Sequence, residues 1–293
     1  MTNKKIYSGS LHSHGCWTDY RNESEKKNFP FDLKSFVEYC SIIGRDFQAI
    51  TDIMAHRPEK PEFIEKRYKA LLKTADPKDK SYVLQQNKTE SVIYLLKENK
   101  KLIIPRTQEI LTDINFKHIL AIGVEKDIRG GRNALETLNE IRDLGGYSIL
   151  DHTFMCDAWN KEKVKKLYSK GLILATEWNG GLTFPAICDI LPVKTPNKKS
   201  NHRVLSLEKK CGIPCIANDD SHSAEDIMNG AFTSYDFSDI DENLSLTDKI
   251  VSSIKSGKFK KHKKYSSFIS PFLHVKYGAE SQETFREEGL PDA

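Results

Sequence analysis

Short apolar runs that close on a histidine or an acidic side chain recur along this chain, and they constrain its fold more than any other feature. Lys5-Ile6-Tyr7-Ser8 leads to His12-Ser13-His14, Phe47-Gln48-Ala49-Ile50 to Thr51-Asp52, and Leu102-Ile103-Ile104 to Glu109. Tyr147-Ser148-Ile149-Leu150 leads to Asp151-His152, Ala175-Thr176 to Glu177, and the run 213–217 to Asp220-Ser221-His222. Runs of this length read as strands. Helical patterns separate several of them. Leu33, Phe36, Val37 and Cys40 share one helical face, with Asp32 as N-cap and Gly44 as terminator. Leu135, Leu138, Ile141 and Leu144 point inward from a helix over 133–144 that Gly145-Gly146 closes, and 164–169 belongs to another helix, broken by Gly171. This alternation predicts parallel strands joined by right-handed crossovers in one α/β domain. Side chains at the C-terminal ends of such strands are where α/β barrels assemble active sites. His118 opens its run, 118–122, so it requires either a local deviation or a strand of opposite sense.

His12 and His14 alternate on an extended segment and therefore face one way. Imidazole nitrogens and carboxylate oxygens at strand ends suit zinc, manganese or iron, and the near absence of cysteine among them argues for an open catalytic site over a closed structural one.

The order of these motifs resembles the polymerase and histidinol phosphatase (PHP) superfamily of metal-dependent phosphoesterases, from about residue 10 to residue 223. The resemblance implies a distorted TIM-like (β/α)7 barrel. It implies a first ion held by His12, His14, Glu109 and Asp220, and a second held by Glu109, His118 and His152, with Glu109 bridging. Asp19 and His222 would serve a third ion, whose remaining ligand is replaced here by Ile53 in Thr51-Asp52-Ile53. That third site is expected to be weak or empty unless His56 substitutes. Asp151 departs too, standing where a small residue is usual. The catalytic set would be Asp220, His222 and Glu109, with Glu177 and Asp52 orienting ligands through hydrogen bonds. Arg106 and Arg57 are the candidates to bind a phosphate, because a guanidinium can pair with two of its oxygens. In such sites one ion lowers the pKa of a bound water and both share the charge that builds on the phosphoryl group.

The implied activity is hydrolysis of a small phosphomonoester. Nuclease action on a phosphodiester is the alternative within the enzymes, motivated by the basic segment 255–264; an amidohydrolase fits the acidic motifs less well. A degenerate metal-binding protein that recognises a ligand or partner is the non-enzyme alternative, motivated by Ile53 and Asp151.

Length and charge agree with this reading and add little. A chain of 293 residues buries a sizeable core as a single domain, and 38% hydrophobic with 29% charged residues is a soluble composition with no run long enough to cross a bilayer. The expected location is the cytoplasm, with the six cysteines kept as thiols. A net charge of +4 implies no polyanionic partner by itself. Residues 57–101 are read as a helical insertion, 180–201 as a long loop beside the metal centre, and 255–293 as a basic then polar C-terminal segment.

Overall fold

The computed structural model describes residues 5–14, 33–54, 78–87, 89–97, 99–112, 117–181, 196–221 and 224–265. They form a mixed α/β structure in which a strongly curved sheet nearly closes into a barrel. Its strands are β1 (Ile6–Ser10), β2 (Phe47–Gln48), β3 (Ile50–Met54), β4 (Tyr82–Gln86), β5 (Glu90–Leu95), β6 (Lys100–Leu111), β7 (His118–Ile122), β8 (Tyr147–Leu150), β9 (Ala175–Asn179), β10 (Cys215–Asn218), β11 (Phe232–Asp236) and β12 (Phe259–His262). The described helices are α1 (Leu33–Ile42), α2 (Ala134–Asp143), α3 (Lys161–Ser169), α4 (Pro196–Cys211), α5 (Ala224–Asn229) and α6 (Leu246–Lys255).

Around the barrel the order is β1, β2 with β3, β6, β7, β8, β9, β10. The pairings are parallel except where β7 lies antiparallel to both β6 and β8. His118 therefore reaches the C-terminal end of the other strands because its own strand runs backwards. The seam between β10 and β1 is joined at that same end. Asp220 N–H donates to the His12 carbonyl at 2.9 Å, His14 N–H donates to the Ser221 carbonyl at 2.8 Å, and Ser13 forms a parallel bridge with Ser221.

Alternation along the strands sorts their residues between two layers. Leu120, Ile122, Ile149, Ala175 and Ile216 belong to the interior cluster, which α6 plugs with Leu246, Ile250, Val251 and Ile254. Their neighbours Ile119, Ala121, Leu150, Cys215 and Ala217 face out and pack under α2, α3 and α4 through Leu138, Ile141, Val164, Leu167, Val204 and Leu207. Each such fully buried aliphatic side chain contributes about 2 kcal/mol. Helix α2 begins where Asn133 Oδ1 accepts the Leu135 N–H at 2.9 Å.

Three expectations change. Leu135 is exposed, because the inward stripe of α2 runs through Ala134, Leu138 and Ile141 and leaves Leu135 about a quarter-turn away. The described part of 57–101 contains the antiparallel hairpin β4–β5 on the N-terminal half of β6, not helix; residues 57–77 of the expected helical insertion lie outside the described residues. Within 180–201, α4 already starts at Pro196. The basic segment forms β12, which pairs antiparallel with β11, itself antiparallel to β1. Among the described residues no helix is long and apolar enough to cross a membrane.

Candidate metal centre

The inward rows that are apolar at the bottom of the barrel turn polar at the C-terminal ends of the strands. From β6 comes Glu109, from β7 His118, from β9 Glu177 and Asn179, and from β10 Asn218. Beyond the strand ends lie His12 and His14 after β1, Asp151 and His152 after β8, and Asp220 after β10. All are buried except His118, which is partly exposed.

Two carboxylates tie the histidines together. Asp220 Oδ1 lies 3.2 Å from His12 Nε2 and 3.1 Å from His14 Nε2, while its Oδ2 lies 2.9 Å from His152 Nε2. Glu109 Oε2 lies 3.3 Å from His14 Nε2, and its Oε1 lies 2.6 Å from His118 Nδ1. Asp220 thus spans histidines from two strand ends, as Glu109 does. His12 and His14 bring their Nε2 atoms within 2.9 Å of each other, the separation expected when two imidazoles aim at one point. One ligand atom each from His12, His14 and Asp220 falls within a common 4.8 Å sphere of mutual distances, and so does one each from His12, Glu109, Asp151 and His152. These buried groups could hold metal ions.

Glu177 sits beneath this cluster. Its Oε1 is 2.9 Å from His12 Nδ1 and accepts from Asn218 Nδ2 at 2.8 Å; its Oε2 accepts from the His152 N–H at 3.2 Å and from Asn179 Nδ2 at 3.0 Å. Asn179 Nδ2 also donates to Asp220 Oδ2 at 3.0 Å. The asparagines escaped the sequence reading, although their spacing of two from Glu177 and Asp220 would have put them on the same inward rows.

The electrostatics are those of a cation site. Burial works against charge on His152, yet the carboxylates of Asp151 and Asp220 overcome it and push its pKa up to about 10. His12 is likewise raised against its burial by Asp151, Asp220 and Glu177. Burial alone would raise the Glu109 and Asp220 carboxyls, but the histidines beside them, His118 for Glu109 and His12 for Asp220, hold both well below the usual range. Backbone strain marks the same place: His152 and Asp220 adopt φ of 41° and 47°, a left-handed conformation costing a non-glycine residue on the order of 1 kcal/mol or more. Close approach at the strand ends depends on Gly181, where a Cβ would meet Asp220 Cβ and its carbonyl at 2.8 Å.

Arg106 is not part of this centre. It stands three residues before Glu109 on one strand, so the two side chains leave opposite faces. Its Nε donates to Asp52 Oδ2 at 3.0 Å, its Nη1 donates to the Glu125 carbonyl at 2.9 Å, and its Nη2 pairs with Asp127. These partners hold Arg106 and Asp52 together on the outer side of β6, the face opposite Glu109. Asp19, His56, Arg57 and His222 lie outside the described residues. In the basic segment, Lys258 pairs with Asp239, Lys261 pairs with Glu208, and Lys255 lies over the Tyr147 ring.

No protein-family model matches the chain, and no curated protein matches it. Among solved structures it is similar to PsfC from Pseudomonas syringae PB-5123, with 9% sequence identity and a TM-score of 0.56 over 96% of this chain and 100% of that one. It is also matched to the lesion-specific endonuclease PfuEndoQ from Pyrococcus furiosus, with 16% identity and a TM-score of 0.49, covering 87% of this chain and 57% of the endonuclease's length. The barrel-like fold is therefore one that this chain shares with PsfC.

Proposed function

We propose that this protein is a metal-dependent hydrolase of phosphate esters, with small phosphomonoesters as its substrate class, built as a distorted TIM-like (β/α)7 barrel of the PHP type. The observation that carries this reading is the convergence of His12, His14, Glu109, His118, His152 and Asp220 at one end of the barrel, with Asp220 and Glu109 each spanning two histidine groups. The donors are imidazole nitrogens and carboxylate oxygens without sulfur, which fits zinc, manganese or iron in an open site.

His12, His14, Glu109 and Asp220 would hold one ion, and Glu109, His118 and His152 the other. Bound divalent ions supply positive charge that acidifies water and neutralises phosphoryl oxygens. The chain's own contribution is orientation. Glu177, 2.9 Å from His12 Nδ1, fixes the tautomer that leaves Nε2 as the inward donor. Asn179 steadies Asp220 Oδ2, and the barrel wall beneath, made of Leu120, Ile149 and Ile216, keeps water from reaching the centre from below.

The test is phosphate release by chelator-stripped protein supplied with manganese or zinc, over a panel of phosphomonoesters and short oligonucleotides, with Asp220→Ala as control. Release that needs both added metal and Asp220 is expected. Metal-independent turnover, or full activity in Asp220→Ala, overturns the reading; cleavage of oligonucleotides with no monoester turnover replaces the phosphatase by a nuclease.

A further inference from the structure

Asp151 belongs to neither of the two ion sets assigned above, although it clusters with His12, Glu109 and His152. Ile149 of β8 points into the barrel, and Asp151, two residues on, continues that inward row to the level of the histidines. It is 0% exposed. Its Oδ1 stands 3.3 Å from His152 Nε2 and 3.3 Å from His12 Nδ1, yet neither carboxylate oxygen completes a hydrogen bond of good geometry. A carboxylate buried in that condition is costly unless a cation is supplied. Arg106 does not supply it, being committed to Asp52 and Asp127 on the outer side of β6, and the groups that face Asp151 are the imidazoles of His12 and His152, which must shed their protons to bind an ion. Asp151 instead offers a ligand atom within 4.8 Å of those of Glu109 and His152, which are two of the residues placed on the second ion.

We propose that Asp151 is itself a ligand of the second metal ion, adding a carboxylate to Glu109 and His152. The proposal rests on the two-ion reading above and deepens it. A second anionic oxygen makes this position harder than a site with one carboxylate and two imidazoles, so it shifts the preference of the second ion from zinc toward manganese.

The experiment is metal binding without substrate. Chelator-stripped wild type, Asp151→Ser and Asp151→Asn are titrated with manganese and with cobalt, reading stoichiometry by equilibrium dialysis and elemental analysis, and the cobalt ligand field by visible absorption. Circular dichroism and thermal unfolding check that each variant is folded, and the near-isosteric Asn keeps the test available if Ser disturbs packing. Two equivalents are expected for wild type. In both variants the second equivalent should bind ten- to a hundredfold more weakly while the first is retained, with loss of one cobalt component. Two equivalents of unchanged affinity and spectrum in the variants overturn the role of Asp151 and leave the two-ion centre standing. Fewer than two equivalents in wild type overturns the two-ion centre and the proposal with it.

Discussion

Ile53 lies directly opposite Glu109 in the parallel register of β3 and β6. Thr51 and Thr107, two residues earlier on each strand, are joined by a 2.6 Å hydrogen bond between their hydroxyls, so the register is held on the inner side of the barrel. A half-buried aliphatic side chain thus occupies a place beside the carboxylate that reaches both His14 and His118.

Replacing that side chain should therefore create a ligand in place. Ile53→His is expected to take up one more equivalent of zinc or manganese than the parent, measured by elemental analysis after dialysis. Equal uptake would show that the space beside Glu109 is not a cation position.

Glu177 gathers two side-chain amides, a backbone N–H and His12 Nδ1 on one buried carboxylate. In Glu177→Gln one oxygen becomes an NH2 that faces other donors, and His12 loses its anchor. Metal affinity should fall about 10- to 100-fold with secondary structure retained, as read by isothermal titration calorimetry and circular dichroism. An unaltered affinity would mean that His12 is oriented by its backbone alone.

Arg106 predicts the opposite pattern. Arg106→Met leaves Asp52 buried without its guanidinium, a loss of about 3 kcal/mol in urea unfolding, while metal stoichiometry stays the same. A large rise in KM for a phosphomonoester with unchanged stability would return Arg106 to the substrate.

Proton linkage follows from the raised histidines. Without metal, His152, with a pKa of about 10, and His12, also raised, are protonated near neutrality. A nitrogen must shed its proton to bind an ion, so uptake releases protons and apparent affinity rises with pH, by about tenfold per unit for each proton displaced. Calorimetric titration at pH 7 in two buffers of different ionisation enthalpy measures that release; identical heats would contradict it. For stability of the metal-free protein the sign reverses. The raised folded pKa of His152 contributes fully below the unfolded value of about 6.5 and is lost as pH climbs through about 10.

The helices α1, α2 and α3 and most strands of the barrel were legible in the chain because their cause is local, whereas α4 begins within the segment expected to be a loop. Apolar spacing with its flanking caps and glycines set α1, α2 and α3, and short apolar runs marked β7, β8 and β10, which need no partner to be recognised. The same alternation, applied to residues three apart on one strand, already separates Arg106 from Glu109. It also aligns Asn179 with Glu177 and Asn218 with Asp220, a signal the motif reading passed over.

What the sequence by itself determined was the set of metal-type side chains and their positions at the ends of extended runs. His12, His14, Glu109, His118, His152 and Asp220 all carry that mark. Only the tertiary structure decided how they meet. The reversed direction of β7 delivers His118 to the shared end. The seam between β1 and β10 sets Asp220 against His12 and His14, and the left-handed turns at His152 and Asp220 aim those side chains inward. Bringing the strands of the barrel into one ring is a non-local act, fixed by pairing and by burial of Ile149, Ile216 and their neighbours. Side-chain chemistry is written residue by residue, whereas distances among residues far apart in sequence exist only once the sheet has curved almost closed.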